Sequence, residues 1–358
     1  MACFEDLPQE LVEWIVELAA PSFSPSRWKE RDRALKTLCL TSKTMLPHAR
    51  RLLRRDIAIS RSATFSKVLT ASGGELGPSL PLSPNLSISH CSTLTVYGGG
   101  ADDWKWPRWF AQRWTPSSGT VEDQLITELC DRLRPKTLAV KGIGLASFPT
   151  TFLASVQTLL LDVCDEPMLA LKNFSNLTRL ALYDSCKQGS LEALIHLPHL
   201  VSLALGVNLR LSPSSAEKHP FKALSRPYAF QFSPSASVVV FDTFFSSSLA
   251  TNPSSFPPAL RVLRLTPEPR RYYYQPPVLA APYPVLSSML ALEPFQHLEE
   301  LHLVSFPRIS DTGKAVEAWC NASNIRLFVE DPDDLSESFD PSFWRFLDGV
   351  KDRLGLNV

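Results

Sequence analysis

The first apolar pattern along the chain has the period of an α-helix. Within residues 7–20, four large apolar residues recur at spacings of four, four and three positions: Leu7, Leu11, Ile15 and Leu18. This spacing places them in one stripe along a helix. Asp6 precedes the stripe as a candidate N-cap, and Pro8 suits the first helical turn. We therefore predict a helix over 7–20 that the segment 21–25, with a proline at each end, terminates.

Two further helices and a short strand are predicted before residue 60. A helix over about 29–42 would place four apolar residues on one face: Ala34, Leu35, Leu38 and Cys39. A third helix, starting near Pro47, would direct Ala49, Leu52 and Leu53 inward. Its outer side is basic and carries Arg50, Arg51, Arg54 and Arg55. Residues 56–60 are predicted to be extended.

From about residue 90 onward, the pattern changes to a repeated strand motif. The sequence LxxLxL recurs with its central leucine at 180, 203, 263 and 301, and close variants are centred on 94, 138 and 159. The central leucines at 138, 159, 180 and 203 are 21, 21 and 23 residues apart. Alternation directs the leucines to one side of each strand, where neighbouring units bury them together. A parallel sheet with helical or irregular return segments is predicted.

Two interruptions and a tail break this repeat. Residues 206–259 hold a Ser/Pro-rich stretch and one more strand candidate, at 238–241. Residues 266–285 form a Pro-rich loop with four tyrosines and two adjacent arginines, which is either a binding loop or a solvated one. The tail, 331–358, contains a helical stripe of Phe343, Phe346, Leu347, Val350 and Leu354. We expect this helix to cap an open end of the sheet.

Charge, apolar runs and cysteine content indicate which kinds of partner and which compartment to expect. Lys plus Arg and Asp plus Glu both number 36, so the net charge is zero, without the basic surplus that is usual in a nucleic-acid binder. No apolar run reaches about 18 residues, and the N-terminus lacks the apolar region of a secretory signal. The seven scattered cysteines suggest reduced thiols. We expect a cytoplasmic or nuclear protein that binds neither membrane nor nucleic acid.

The sequence shows no arrangement typical of an active site or a cofactor. Glycine is scarce, and GxSxG, HExxH and phosphate-loop motifs are absent. His196 and His199 have no third ligand nearby in sequence, so no metal site is predicted. Four tryptophans at 104, 106, 109 and 114 alternate with basic residues. They form either an aromatic-basic surface or, as we favour, a packed connection. No cofactor is expected.

The first sixty residues resemble the F-box motif, in the form common in fungal proteins. The resemblance covers residues 5–59 and is carried by LPxELxxxIxxL followed by LxLxSKxMLPxARxxL, which begins at Leu38. The family usually has Val at the position of Thr41 and an aromatic residue at that of Met45. The later strands resemble the leucine-rich repeats that often follow F-boxes. Cys164 and Asn208 occupy the Asn/Cys position of that repeat in two units.

The resemblance implies a substrate-recognition adaptor of a cullin ubiquitin ligase that performs no catalysis itself. The F-box would dock a small Skp-type adaptor through eight positions: Leu7, Pro8, Leu11, Ile15, Leu40, Ser42, Met45 and Leu46. The repeat domain would bind an unknown protein client. Alternation alone suggests six outward strand residues as client contacts: Arg179, Ser202, Arg261, Arg264, Glu300 and His302.

The fold class expected is therefore α/β. It would combine a three-helix F-box-like motif at 1–60, an irregular leucine-rich-repeat solenoid at 61–330 and a capping helix at 331–358. Three alternatives remain open. The helices could be a cap whose apolar stripe is intramolecular core, or the chain could be a protein-binding scaffold outside any ligase. An α/β enzyme would instead bring titratable residues together in a pocket.

Overall fold

The structure is a computed structural model, and it describes residues 7–20, 28–59, 91–97, 130, 133–141, 145, 148–162, 171–183, 194, 197–206, 232, 235–245, 256–267, 286–290, 295–306, 308–330 and 340–355. Several sequence predictions lie outside these residues: those on Asp6, the segment 21–25, the tryptophans at 104–114, Cys164, His196, Asn208, much of 206–259, most of 266–285, and 331–339.

The described residues begin with three helices and continue as strands with further helices between some of them. The helices are α1 (Gln9–Ala19), α2 (Trp28–Thr41), α3 (Leu46–Arg55), α4 (Thr150–Leu153), α5 (Leu286–Leu290), α6 (Asp311–Ala322) and α7 (Asp340–Leu354). The strands are β1 (Asp56–Ile59), β2 (Thr93–Tyr97), β3 (Thr137–Lys141), β4 (Thr158–Asp162), β5 (Arg179–Tyr183), β6 (Ser202–Gly206), β7 (Val240–Phe245), β8 (Val262–Pro267), β9 (Glu300–Val304) and β10 (Arg326–Glu330). Among the described residues, the order of strands in the sheet is their order in the chain. The fold class is α/β with a parallel sheet.

The chain divides into two compact units. The first comprises Met1–Leu159 with Ser338–Asp348, and the second Leu160–Glu337 with Gly349–Val358. In the first unit, β1 pairs in parallel with β2, and β2 with β3. This register aligns Ile57 with Leu94 and Leu94 with Leu138 in one buried row. The short strand predicted after the third helix is thus confirmed as β1.

The predicted helices α1 to α3 are present and share a small core. Val16 and Ala20 of the first helical segment pack with Leu35 of α2 and with Ala49 and Leu52 of α3. The buried face of α1 therefore lies one position along from the stripe identified in the sequence. Burying these apolar groups is the main contribution to the stability of the three-helix unit.

In the second unit, strands β5 to β10 pair in parallel with continuous register. The central repeat leucines Leu180, Leu203, Leu263 and Leu301 form one row with Phe241 and Leu327. All are buried except Leu327, which is half-buried. The second leucine of each LxL forms a parallel row, which Thr243 interrupts. The strand predicted at 238–241 is confirmed as β7, which begins two residues and ends four residues later than predicted.

A helix is confirmed in the C-terminal tail, where α7 buries Phe346, Leu347 and Val350. It ends at Gly355, whose φ of 60° lies in the left-handed region that glycine adopts without steric cost. The last turn of α7, from Gly349 onward, belongs to the second unit.

Candidate interaction surfaces

The outward face of α1 is an exposed apolar surface. Leu11 is 48% exposed, Trp14 68% and Leu18 78%, and Leu40, near the end of α2, is 88% exposed. We call these four residues together the helical apolar surface. Large apolar side chains scattered singly are normal on a protein, but Leu11, Trp14 and Leu18 follow the i, i+3, i+7 spacing of one helix face.

All eight residues predicted to dock the adaptor are at least partly accessible. Pro8, Leu11 and Leu40 are exposed, whereas Leu7, Ile15, Ser42, Met45 and Leu46 are half-buried. Within the described residues, Leu11 and Leu18 of the stripe are therefore not core, and the alternative of an intramolecular cap stripe fails for these two residues. The reason is that Val12, Val16 and Ala20 form a second apolar stripe, and it is this one that packs inward.

Trp14 belongs to the same surface and was missed by the sequence reasoning. It lies three residues after Leu11 and four before Leu18, so the helical period already carried the signal. Ser42 has a local structural role, because its Oγ accepts a hydrogen bond from Thr44 N at 3.1 Å in the turn before α3. Met45 packs partly against the three-helix core.

Ion pairs also join α1 to α3. Glu13 is paired with Arg51, and Glu17 Oε1 lies 3.2 Å from Arg55 Nη1. Deeper in the unit, Arg31 Nη2 lies 3.3 Å from Asp56 Oδ2, with both side chains almost fully buried. Burial lowers the pKa of Arg31, and the opposing attraction of Asp56 limits the effect. These contacts tie α2 to β1 and α1 to α3.

The six residues predicted as client contacts do not share one environment. Arg179 and Arg261 are half-buried, but Ser202, Arg264, Glu300 and His302 are each at most 5% exposed. The prediction that these four lie on an open sheet face is therefore wrong. Alternation places Arg264 and His302 on the side of the sheet opposite the leucines. There Arg264 pairs with Asp242 and His302 with Glu330, while the α7 residue Arg353 covers Glu300.

Three of these buried residues, Arg264, Glu300 and His302, belong to a larger group of charged side chains on β7 to β10 and α7. We call this group the charge cluster, and it comprises Asp242, Arg264, Glu300, His302, Glu330 and Arg353. Parallel register creates it, because it aligns Asp242 with Arg264, Arg264 with His302, and His302 with Phe328 of β10. Side chains aligned across adjacent parallel strands lie about 5 Å apart, within reach of hydrogen bonding.

One half of the charge cluster is centred on Arg264. Its Nη1 donates to Asp242 Oδ2 at 3.1 Å, and its Nε and Nη2 donate to Glu330 Oε2 at 3.0 and 2.7 Å. Burial alone would lower the pKa of Arg264, but attraction to Asp242 and Glu330 raises it above the usual value. Burial raises the pKa of Asp242 despite Arg264. Burial would raise the pKa of Glu330, but its hydrogen bonds with His302 and Arg264 outweigh burial and lower the pKa to about 2.

The other half is centred on Glu300, whose side chain is fully buried. Arg353 Nε and Nη2 donate to its two oxygens at 3.1 and 2.9 Å, and Arg326 Nη2 lies 2.8 Å from Oε1. His302 Nε2 lies 3.0 Å from Glu300 Oε2, and Nδ1 lies 3.1 Å from Glu330 Oε1. Burial would raise the pKa of Glu300, but hydrogen bonds from Arg353 and His302 lower it. An ionised carboxylate only accepts hydrogen bonds, so both imidazole contacts are satisfied when both ring nitrogens carry hydrogen.

An open groove of about 850 Å³ lies beside this cluster. It is lined in part by Arg261, Glu299 and Arg326, at the N-terminal ends of β8 to β10. Arg261 Nε and Nη2 donate to Glu299 at 2.5 and 3.0 Å. The six cluster residues do not line the groove. Titratable groups thus converge on the sheet as the enzyme alternative predicts, but they face one another instead of this groove.

Within the described residues, no three His, Cys, Asp or Glu side chains are grouped so that they could hold a metal ion. The described helices include none that is both long and apolar enough to cross a bilayer. Comparison of the chain with protein-family models and with curated proteins gives no match.

Proposed function

We propose that this chain is a non-enzymatic substrate-recognition adaptor of a cullin-type ubiquitin ligase, acting in the cytoplasm or nucleus. In this proposal, α1 to α3 dock a small Skp-type adaptor, and the strand region binds a protein client. Ubiquitin transfer would take place on partner enzymes, and the chain would supply proximity. The observation that carries the proposal is the helical apolar surface, which is exposed although α1 has a separate buried face.

The energetics favour coverage of this surface by another chain. Burying a leucine side chain contributes about 1.5–3 kcal/mol, so the unburied stripe of α1 is a substantial reserve of binding energy. An amphipathic helix exposing residues at i, i+3, i+4 and i+7 suits a partner helix or groove. Leu11, Trp14, Ile15 and Leu18 have that spacing. Trp14 adds an aromatic anchor of the kind common in binding hot spots.

The client-binding region would be an irregular leucine-rich-repeat solenoid. Support comes from the parallel register, which stacks the central leucine of each repeat directly on the next. A solenoid stabilised by nearest-neighbour packing leaves the opposite side of its strands for recognition. In this chain that side carries the charge cluster, whose residues on β7 to β9 are buried, so a client would first meet the partly exposed side chain of Arg353 there.

Copurification of the full chain with a Skp-type adaptor tests the proposal. The wild-type chain should bind, and the double variant Leu11→Ala/Leu40→Ala should bind at least about tenfold more weakly. Ile309→Ala is the matched control, because Ile309 is a 92% exposed apolar residue in the second unit. Failure of the folded wild-type chain to bind would remove the ligase role and leave the alternative of a ligase-independent protein-binding scaffold.

A further inference from the structure

Arg353 reaches from the last turn of α7 onto the sheet, where its side chain is held on two sides. Its guanidinium donates two hydrogen bonds to Glu300, and its central carbon lies 4.8 Å from the centroid of the Phe328 ring. The Phe328 ring in turn stacks on His302, with 4.4 Å between centroids and 11° between planes. All four residues belong to the second unit.

The chemistry of these surroundings is specific for a guanidinium. Two parallel N–H donors match the two oxygens of one carboxylate, a geometry that an ammonium group cannot reproduce. An aromatic face adds a cation–π contact. Glu300 is fully buried, and its two oxygens also contact His302 Nε2, at Oε2, and Arg326 Nη2, at Oε1, so the carboxylate keeps partners of its own without the incoming cation. We call Glu300, His302 and Phe328 the arginine site.

The group that occupies this site comes from an exposed segment. Arg353 itself is 35% exposed, and its neighbours Lys351 and Asp352 are exposed, whereas the carboxylate it binds has no exposed surface. The buried, preformed half of the contact therefore lies on β9 and β10. The other half is the side chain of Arg353, which reaches the site from the solvent side. An arginine of another chain could take its place.

We propose that the arginine site is a recognition site for an arginine of a protein client, and that Arg353 occupies it when no client is bound. A client would present its own arginine and displace the side chain of Arg353. This inference rests on the client-binding half of the proposed function and not on adaptor docking, so the two can fail separately.

Removing Arg353 should empty the site without unfolding the chain. In Arg353→Ala, Glu300 keeps two partners, because the guanidinium nitrogen Arg326 Nη2 lies 2.8 Å and His302 Nε2 3.0 Å from its oxygens. The buried carboxylate is therefore not left without a partner, which is the costly outcome when a buried ion pair is broken. Lys351→Ala is the matched control, since it removes one positive charge from the same helical turn at an exposed position.

The test is calorimetric titration of N-acetyl-arginine amide into the full-length chain and its variants. If Arg353 occupies the site in most molecules, the probe binds only the vacant fraction, and its apparent affinity for the wild-type chain falls in proportion to that fraction. Arg353→Ala should therefore bind the probe at least about tenfold more tightly than wild type or Lys351→Ala. N-acetyl-lysine amide should bind Arg353→Ala clearly more weakly, and Arg353→Ala/Glu300→Gln should lose the preference for arginine. Equal binding by wild type and Arg353→Ala, or equal binding of the two probes, would overturn the proposal.

A second measurement on the wild-type chain covers the case in which Arg353→Ala does not fold. A saturating concentration of N-acetyl-arginine amide should raise amide hydrogen exchange over residues 349–354, because displacing the Arg353 side chain loosens the last turn of α7. The lysine probe at the same concentration should leave that exchange unchanged. No difference between the two probes here would also overturn the proposal. Adaptor binding enters neither measurement.

Discussion

Leu40→Ala provides a sharp test of the helical apolar surface, because the residue lies almost entirely in solvent. The substitution removes three carbon atoms, each contributing about 0.8 kcal/mol when buried. Leu40 is 88% exposed in the free chain. If the adaptor covers it fully, the substitution should weaken the binding free energy by about 2 kcal/mol. This corresponds to roughly a thirtyfold increase in Kd for the Skp-type adaptor.

The same substitution should hardly affect folding, since the side chain makes little buried contact. Exposed substitutions usually change stability by less than about 0.5 kcal/mol. Leu52→Ala is the informative contrast: Leu52 is 1% exposed in the core of α1 to α3, and its truncation should cost about 2–5 kcal/mol of unfolding free energy. Both variants can be compared by urea denaturation and by surface plasmon resonance with immobilised adaptor. A Kd within twofold of wild type for a folded Leu40→Ala would refute the assignment of this end of α2 to the interface.

Three further predictions concern the helical surface and the charge cluster. Ile15→Ala should weaken adaptor binding by on the order of 1–3 kcal/mol in the same plasmon assay and leave the fold largely intact; loss of the fold would favour the cap alternative. Arg264→Met should cost about 3–5 kcal/mol in urea denaturation, because it isolates the buried Asp242 carboxylate, and adding Asp242→Leu should recover most of that loss. Because its pKa is lowered in the folded chain, ionised Glu330 stabilises the fold. This contribution to the free energy of unfolding is complete above its unfolded pKa near 4.5 and is lost as the pH falls toward about 2. After discounting for its one-third exposure, we expect the effect to be about 1–3 kcal/mol and Glu330→Gln to flatten stability across that range.

Most strands of this fold could be predicted because each repeat carries its own signal, whereas β10 lacks the LxxLxL pattern and was not predicted. Leucines at LxxLxL positions mark the strands, and the described strands β5, β6, β8 and β9 lie where the pattern predicts them. The helices α1 to α3 were equally visible from apolar spacing. Local periodicity suffices here because burial of one face determines whether a segment forms a strand or a helix.

Which face of α1 is buried could not be read in the same way. Leu11, Ile15 and Leu18 form one apolar stripe, and Val12 and Val16 form another one position along. Both have the helical period, so only the complementary surfaces of α2 and α3 decide between them. The structure buries the smaller, β-branched residues and leaves the larger ones outside.

The charge cluster was beyond prediction for a different reason. Arg264 is 66 residues from Glu330 and 22 from Asp242, and Arg353 is 53 residues from Glu300. Alternation correctly indicated that Arg264, Glu300 and His302 do not lie among the leucines. It carried no information about the register that aligns the strands, nor about the α7 side chain that covers one end of the row.

The position of this cluster argues for recognition more than for stability. Well-packed apolar residues in place of a buried ion pair are often as stable or more stable, so strength of fold alone does not explain charged groups here. The row of central leucines on the same strands shows that this sheet can be filled with apolar groups. The carboxylates of Asp242, Glu300 and Glu330 are paired with three guanidinium groups, those of Arg264, Arg326 and Arg353. A cationic client group that displaces Arg353 restores the same charge balance, whereas a neutral or acidic one leaves Glu300 with less compensation. In the recognition that we propose, the cluster would therefore select by charge as well as by the forked geometry of the guanidinium.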